Sequence, residues 1–160
     1  MTGRVAAVYL VRVKGEVIED GFLEDFRLTS GQKFYERGPI SFDILFRNNG
    51  NVHLNIYGAV MIKNSAGKTV GEIDLSQPWF AMPNSLRLRT VSWDRGLLFG
   101  RYTATANINR GYQDIVDAKS VSFLVVPWKT LVPFAVGLFV FIALVVWFSN
   151  KFEVVPKKRE

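Results

Sequence analysis

At 160 residues the chain is long enough for one ordinary domain and an appendage, and with 49% hydrophobic and 14% aromatic residues it is not a disordered polymer. The formal charge of +6 comes from 20 basic and 14 acidic side chains. Arg4, Arg12, Arg27, Lys33, Arg47, Lys63, Arg87 and Arg101 are scattered, without the basic stripe interleaved with aromatics that a nucleic acid partner needs. The absence of cysteine excludes disulfides, thiolate metal sites and cysteine catalysis together.

In chain order, Arg4–Val13 reads as a strand and residues 14–21 (KGEVIEDG) as a polar linker. A solitary strand ahead of a linker cannot bury its own apolar face. Residues 1–13 are therefore expected to be the last strand of a preceding domain that is otherwise missing. Residues 40–46 alternate, with Ile40, Phe42, Ile44 and Phe46 on one side, which marks a half-buried strand. Asn48-Asn49-Gly50-Asn51 follows as a turn, since asparagine and glycine tolerate positive φ. A strand over 52–62 leads through the hairpin loop Asn64-Ser65-Ala66-Gly67-Lys68 into 70–75.

Pro78 and Pro83 bracket Trp79-Phe80-Ala81-Met82. The strand 86–93 has no clear register: Leu86 and Leu88 share one face, Val91 and Trp93 the other, which suggests a bulge. Strands over 101–108 and 117–126 complete, with 22–28, a set of about seven. No amphipathic helix separates them. The expected fold is all-β, an immunoglobulin-like antiparallel β-sandwich over 22–126, followed by one C-terminal transmembrane helix.

From Leu131 to Phe148 no charged or strongly polar residue occurs, and at 1.5 Å per residue the run spans roughly 27 Å, close to a bilayer's hydrocarbon core. A soluble helix keeps a polar face, and this one has none. Residues 127–150 are thus expected to form the membrane helix with its flanks, 131–148 meeting lipid, with Pro133 in the first turn. Trp128, Lys129 and Trp147 are the expected interface anchors, with Lys151, Lys157, Lys158 and Arg159 in a basic tail over 151–160. The positive-inside bias puts that tail in the cytoplasm and the sandwich outside. Val5–Val11 is too short for an export signal and lacks a cleavage site.

Chemistry is sparse. His53 is the only histidine, and on a strand after a turn it reads as structural. Asp43, Asp74, Asp94, Asp114 and Asp117 lack calcium-loop spacing, and no nucleotide-binding or esterase motif occurs. No enzyme activity and no cofactor are expected. Trp79, Phe80 and Met82 are the candidate binding patch, as exposed aromatics suit sugar rings, although the same residues could cap the sandwich core.

Phe34-Tyr35-Glu36-Arg37-Gly38-Pro39 and Phe46-Arg47-Asn48-Asn49-Gly50-Asn51-Val52-His53-Leu54 resemble a run in bacterial cell-surface proteins of the WxL-interacting, DUF916-like family. The likeness continues through Pro83-Asn84-Ser85, Val91-Ser92-Trp93, Phe99-Gly100-Arg101-Tyr102-Thr103-Ala104 and Val126-Pro127-Trp128-Lys129. It implies an ectodomain ahead of a C-terminal anchor, a preceding sandwich and the outside orientation, and it carries over no catalytic residue. Arg89 stands where the pattern implies an apolar residue. The expected function is a noncatalytic, membrane-anchored surface protein, a spacer or an adhesion module for a surface protein or cell-wall polymer. An accessory subunit of a membrane complex and a tail-anchored cytosolic binding domain are the alternatives.

Overall fold

The computed structural model describes residues 14–94, 96 and 99–151, the side chains of 150 and 151 apart. The expected strand over 4–13 and the tail residues Lys157, Lys158 and Arg159 lie outside the described residues. Nine strands precede one helix: β1 (Gly21–Leu28), β2 (Phe34–Tyr35), β3 (Ile40–Asn48), β4 (Leu54–Asn64), β5 (Thr69–Asp74), β6 (Trp79–Ala81), β7 (Ser85–Trp93), β8 (Gly100–Asn109), β9 (Val116–Val125) and α1 (Trp128–Lys151). One sheet has the order β1-β3-β7 and the other β2-β9-β8-β4-β5, with β6 added to β4. The protein is mostly β, two sheets packed face to face, with a C-terminal helix.

Alternation decides what lies between the sheets. Ile40, Phe42, Ile44 and Phe46 are fully buried, as are Ile56, Val60 and Ile62 of β4 and Ala104, Ala106 and Ile108 of β8. Aromatic rings gather around Phe123 of β9. Phe42 reaches it from the first sheet at 5.8 Å, Tyr102 stacks on it at 5.7 Å, and Trp93 and Tyr35 meet it at 6.3 and 6.1 Å. Ring pairs in this range add attraction beyond their buried area. Gly71 of β5 is required here, because a Cβ would collide with the Trp93 indole.

Two expectations about the strands need correction. The sandwich is not purely antiparallel, since β2 runs parallel to β9, pairing Phe34 with Leu124 and Tyr35 with Val125. The chain reaches that edge after β1 and must return to begin β3, so it passes β9 in the same direction. Strand β7 has no bulge: it pairs with β3 in one register from Ile40–Trp93 to Asn48–Ser85. Leu86 and Leu88 therefore face solvent, and Arg89 takes an inward-side position opposite Ile44. Its guanidinium lies 5.6 Å from the Trp79 ring centroid, which reconciles a charge with that face.

Residues 16–20 dock on the turn at 48–51. Asn49 and Gly50 donate to Asp20 O, Asn51 N donates to Ile18 O, and the Asn51 side chain bonds both Ile18 N and Glu16 O. Gly50 permits this approach, because any Cβ there would strike Ile18 O. Beneath the turn, fully buried Asn48 donates to Val52 O at 2.8 Å and Ala81 O at 2.9 Å and accepts from Gly50 N at 2.9 Å. The asparagine run makes a docking point as well as a turn.

Candidate functional site

Helix α1 begins two residues after β9 ends. Within its Trp128–Ser149 stretch the 18-residue apolar window has mean hydropathy 2.7, and none of that window is buried inside the protein. The one helix among the described residues is thus long and apolar enough to cross a membrane. It starts earlier than the hydropathy run suggests. Pro133 therefore sits in the second turn rather than the first, and Lys129 O loses the N–H it would otherwise accept. Trp128 and Trp147 are each more than half exposed, and Lys151 is the last helical residue.

The junction between sheet and helix is stiffened by short-range bonds. Leu124 N donates to Lys33 O at 2.8 Å and Val126 N to Tyr35 O at 2.9 Å, which carries the β2–β9 pairing to the edge of the helix. Pro127 O then accepts from Thr130 N and Leu131 N, closing the first turn. Lys129 Nζ lies 2.7 Å from Glu36 Oε2, and Arg37 approaches the other oxygen at 3.7 Å. The Lys129 hydrogen bond, with the charges of Lys129 and Arg37, holds the Glu36 carboxyl below its ordinary range against a smaller opposing effect of desolvation. Lys129 also lies 5.7 Å from the Trp128 ring centroid.

Around this exit the sheet presents aromatic and basic side chains. Tyr35, Val125 and Gly100 form one cross-strand row, so β2 and β8 flank the strand that becomes the helix. Phe34 and Phe99 stand at the ends of those neighbours and are 74% and 68% exposed. Their backbones are nevertheless fixed. Phe34 is paired to Leu124, and the Tyr102 hydroxyl donates to Phe99 O at 3.1 Å and accepts from Phe99 N at 3.2 Å. Phe34 shares one hollow with Lys33 and Arg101, and a second with Glu36, Val126 and Trp128.

No protein-family model matches the sequence, and no curated protein does. Among solved structures, the chain is similar to the C-terminal domain of wzt, at 12% identity and a TM-score of 0.49, covering 70% of this chain and 79% of that one. It is also similar to the CARDB domain of a Pyrococcus furiosus protein solved in complex with di-metal ions, at 13% identity and a TM-score of 0.48, covering 71% and 98%. A β-glucosidase from Listeria innocua follows at 10% identity and a TM-score of 0.41, the shared part being 17% of that chain. At these identities and scores none of them assigns a family or a function to this chain.

Of the expected aromatic patch at the other end of the sandwich, Trp79 is not at the surface. Trp79 is only 4% exposed and meets Phe46 at 6.5 Å, because β6 pairs with β4 and turns Trp79 and Ala81 inward. Its Nε1 has no hydrogen-bond partner. Phe80 lies on the other face, 5.9 Å from the His53 ring, and Met82 is exposed. The three residues are thus split between core and surface by the two-residue period of a strand.

Asp43 is buried but satisfied, accepting from Thr29 Oγ1 and Thr90 Oγ1 at 2.8 Å each. Asp117 accepts from Leu23 N and forms a paired contact with Arg110, tying β9 to β1. Both carboxylates serve the framework. Among the described residues no group of three or more potential metal-ligating side chains converges. Nothing in the sequence separates the exposed Phe34 and Phe99 from the core rings, since neither lies in a periodic run that would fix its face.

Proposed function

We propose that this protein is a noncatalytic surface module anchored by α1 in a cell membrane, with its β-sandwich outside and its C-terminus in the cytoplasm. The observation that carries the reading is a helix none of whose 18-residue apolar window is buried inside the protein. Burying such a face in hydrocarbon is the ordinary way to remove it from water. The basic residues Lys151, Lys157, Lys158 and Arg159 support the orientation. The sandwich is immunoglobulin-like in this reading: strands β1, β3 and β7 oppose β9, β8, β4 and β5, and Tyr102 bonds back to Phe99 as a tyrosine corner does. The resemblance to the DUF916-like surface family fits the same arrangement, and the module acts as a spacer or adhesive element for a surface protein or wall polymer.

Protease treatment of intact cells, followed with antibodies against residues 22–126 and against the tail, tests this. Digestion of the sandwich with the tail protected is expected. Protection of both until the membrane is opened would overturn the orientation and the adhesive role with it.

A further inference from the structure

We infer that the helix-proximal corner of the sandwich rests on the bilayer itself, with Phe34 and Phe99 in the interface and Lys33, Arg37 and Arg101 against anionic headgroups. This rests on the reading of α1 as a membrane-spanning helix. Three observations carry it. First, the two phenylalanines are the most exposed aromatic side chains among the described residues of the sandwich, Phe34 on β2 and Phe99 immediately before β8, the two strands that flank the exit to the helix. Most other large rings of the sandwich are hidden: Phe26, Phe42, Phe46, Trp79, Trp93 and Phe123 are buried, and Tyr57, at 43%, is well below either phenylalanine in exposure. Second, neither ring is presented by a loose backbone, since strand pairing fixes one and the Tyr102 hydroxyl fixes the other. Aromatic side chains held on a rigid frame lose little freedom on entering an interface.

Third, the distance is short. Only Val126 and Pro127 separate Val125 from Trp128, so at most about 10 Å of extended chain lies between the exit row and the helix start. The Lys129–Glu36 pair and the Val126–Tyr35 hydrogen bond oppose lift-off at that point. Trp128, the residue type that settles at the headgroup level, shares its hollow with Phe34. The charges agree. Lys33, Arg37 and Arg101 are exposed around the rings, and of the acidic groups nearby Glu36 is already paired with Lys129. A basic rim around exposed aromatics is complementary to an anionic lipid surface.

The absence of cysteine makes a direct test clean. The full chain is reconstituted into phosphatidylcholine vesicles with and without phosphatidylglycerol, carrying a fluorophore at one of four sites: Phe34→Cys, Phe99→Cys, Met82→Cys or Phe139→Cys. Nitroxide-bearing lipids are the quencher. Strong quenching at 139, 34 and 99, and several-fold weaker quenching at 82, is the expected result, with 34 and 99 responding to phosphatidylglycerol. Adding Lys33→Glu and Arg101→Glu lowers quenching at 99 several-fold without altering 139. Quenching at 139 with 34 and 99 no better quenched than 82 would overturn the lipid-resting corner while leaving the membrane helix intact. Lack of quenching at 139 would overturn the membrane reading, and the corner with it.

Discussion

The two ends of the sandwich are held by different forces. At the helix-proximal end, rings from both sheets converge on Phe123, and the β2 strand clamps the last residues before the helix. At the far end directional polar side chains add to the core: the Asn48 amide under the turn, the Asn51 amide on the segment 16–20, and the Asp117 carboxylate, which accepts from Leu23 N across the β1–β9 edge and from Arg110. Non-directional apolar packing is lost all at once when a ring is removed. A hydrogen-bonded turn can open while the core stays closed.

The contrast is sharpened most by Phe123→Ala. Removing the hub ring is expected to cost about 3–5 kcal/mol, as for other buried phenylalanines, read as a lowered urea midpoint in detergent micelles. Loss of near-UV circular dichroism from the remaining rings should accompany it. Trp79→Ala is expected to fall at about 3 kcal/mol, the low end of the same range, because the stem of Arg89 can settle into part of the space. A Trp79→Ala protein with undiminished stability would show that this tryptophan is outside the core after all.

Asn48→Ala removes the amide that Val52 O and Ala81 O share, while Gly50 N keeps its bond to Asp20 O, and a loss of roughly 1–3 kcal/mol is expected. Amide exchange should quicken first at Asn49, Gly50 and Asn51, with the core amides of β3 and β8 protected. Uniform quickening throughout the sandwich would erase the distinction between the two ends. The smallest effect is expected at the exposed junction pair. The Glu36 carboxyl is held below its ordinary value of 4.5, so its contribution is present above that pH and fades as pH falls through the lowered value. Glu36→Gln should therefore flatten the decline of melting temperature below about pH 4.5 and leave neutral-pH behaviour almost unaltered. An unchanged acid limb would mean that the pair does not hold the junction.

Most strands were legible because a half-buried strand writes its period into the sequence, as in Ile40, Phe42, Ile44 and Phe46. The helix was legible for a related reason, since an unbroken apolar run of that length has few other places to go. For strand β7 the strand was legible but its register was not, because it has leucines on the solvent face and an arginine on the inner side, and pattern alone cannot tell an exposed leucine from a buried one. The short strands β2 and β6 were invisible for want of length. Two or three residues carry no period, and their pairing is chosen by strands far away in the chain.

By itself, then, the sequence determined the all-β character, the hairpin at 64–68, the turn at 48–51 and the apolar C-terminal helix, all properties of contiguous residues. Tertiary structure alone decided that Trp79 turns inward, that residues 16–20 dock on the asparagine turn, and that Phe34 and Phe99 flank the helix exit. Those are outcomes of register and strand order, set by which faces can be buried together across long separations in the chain.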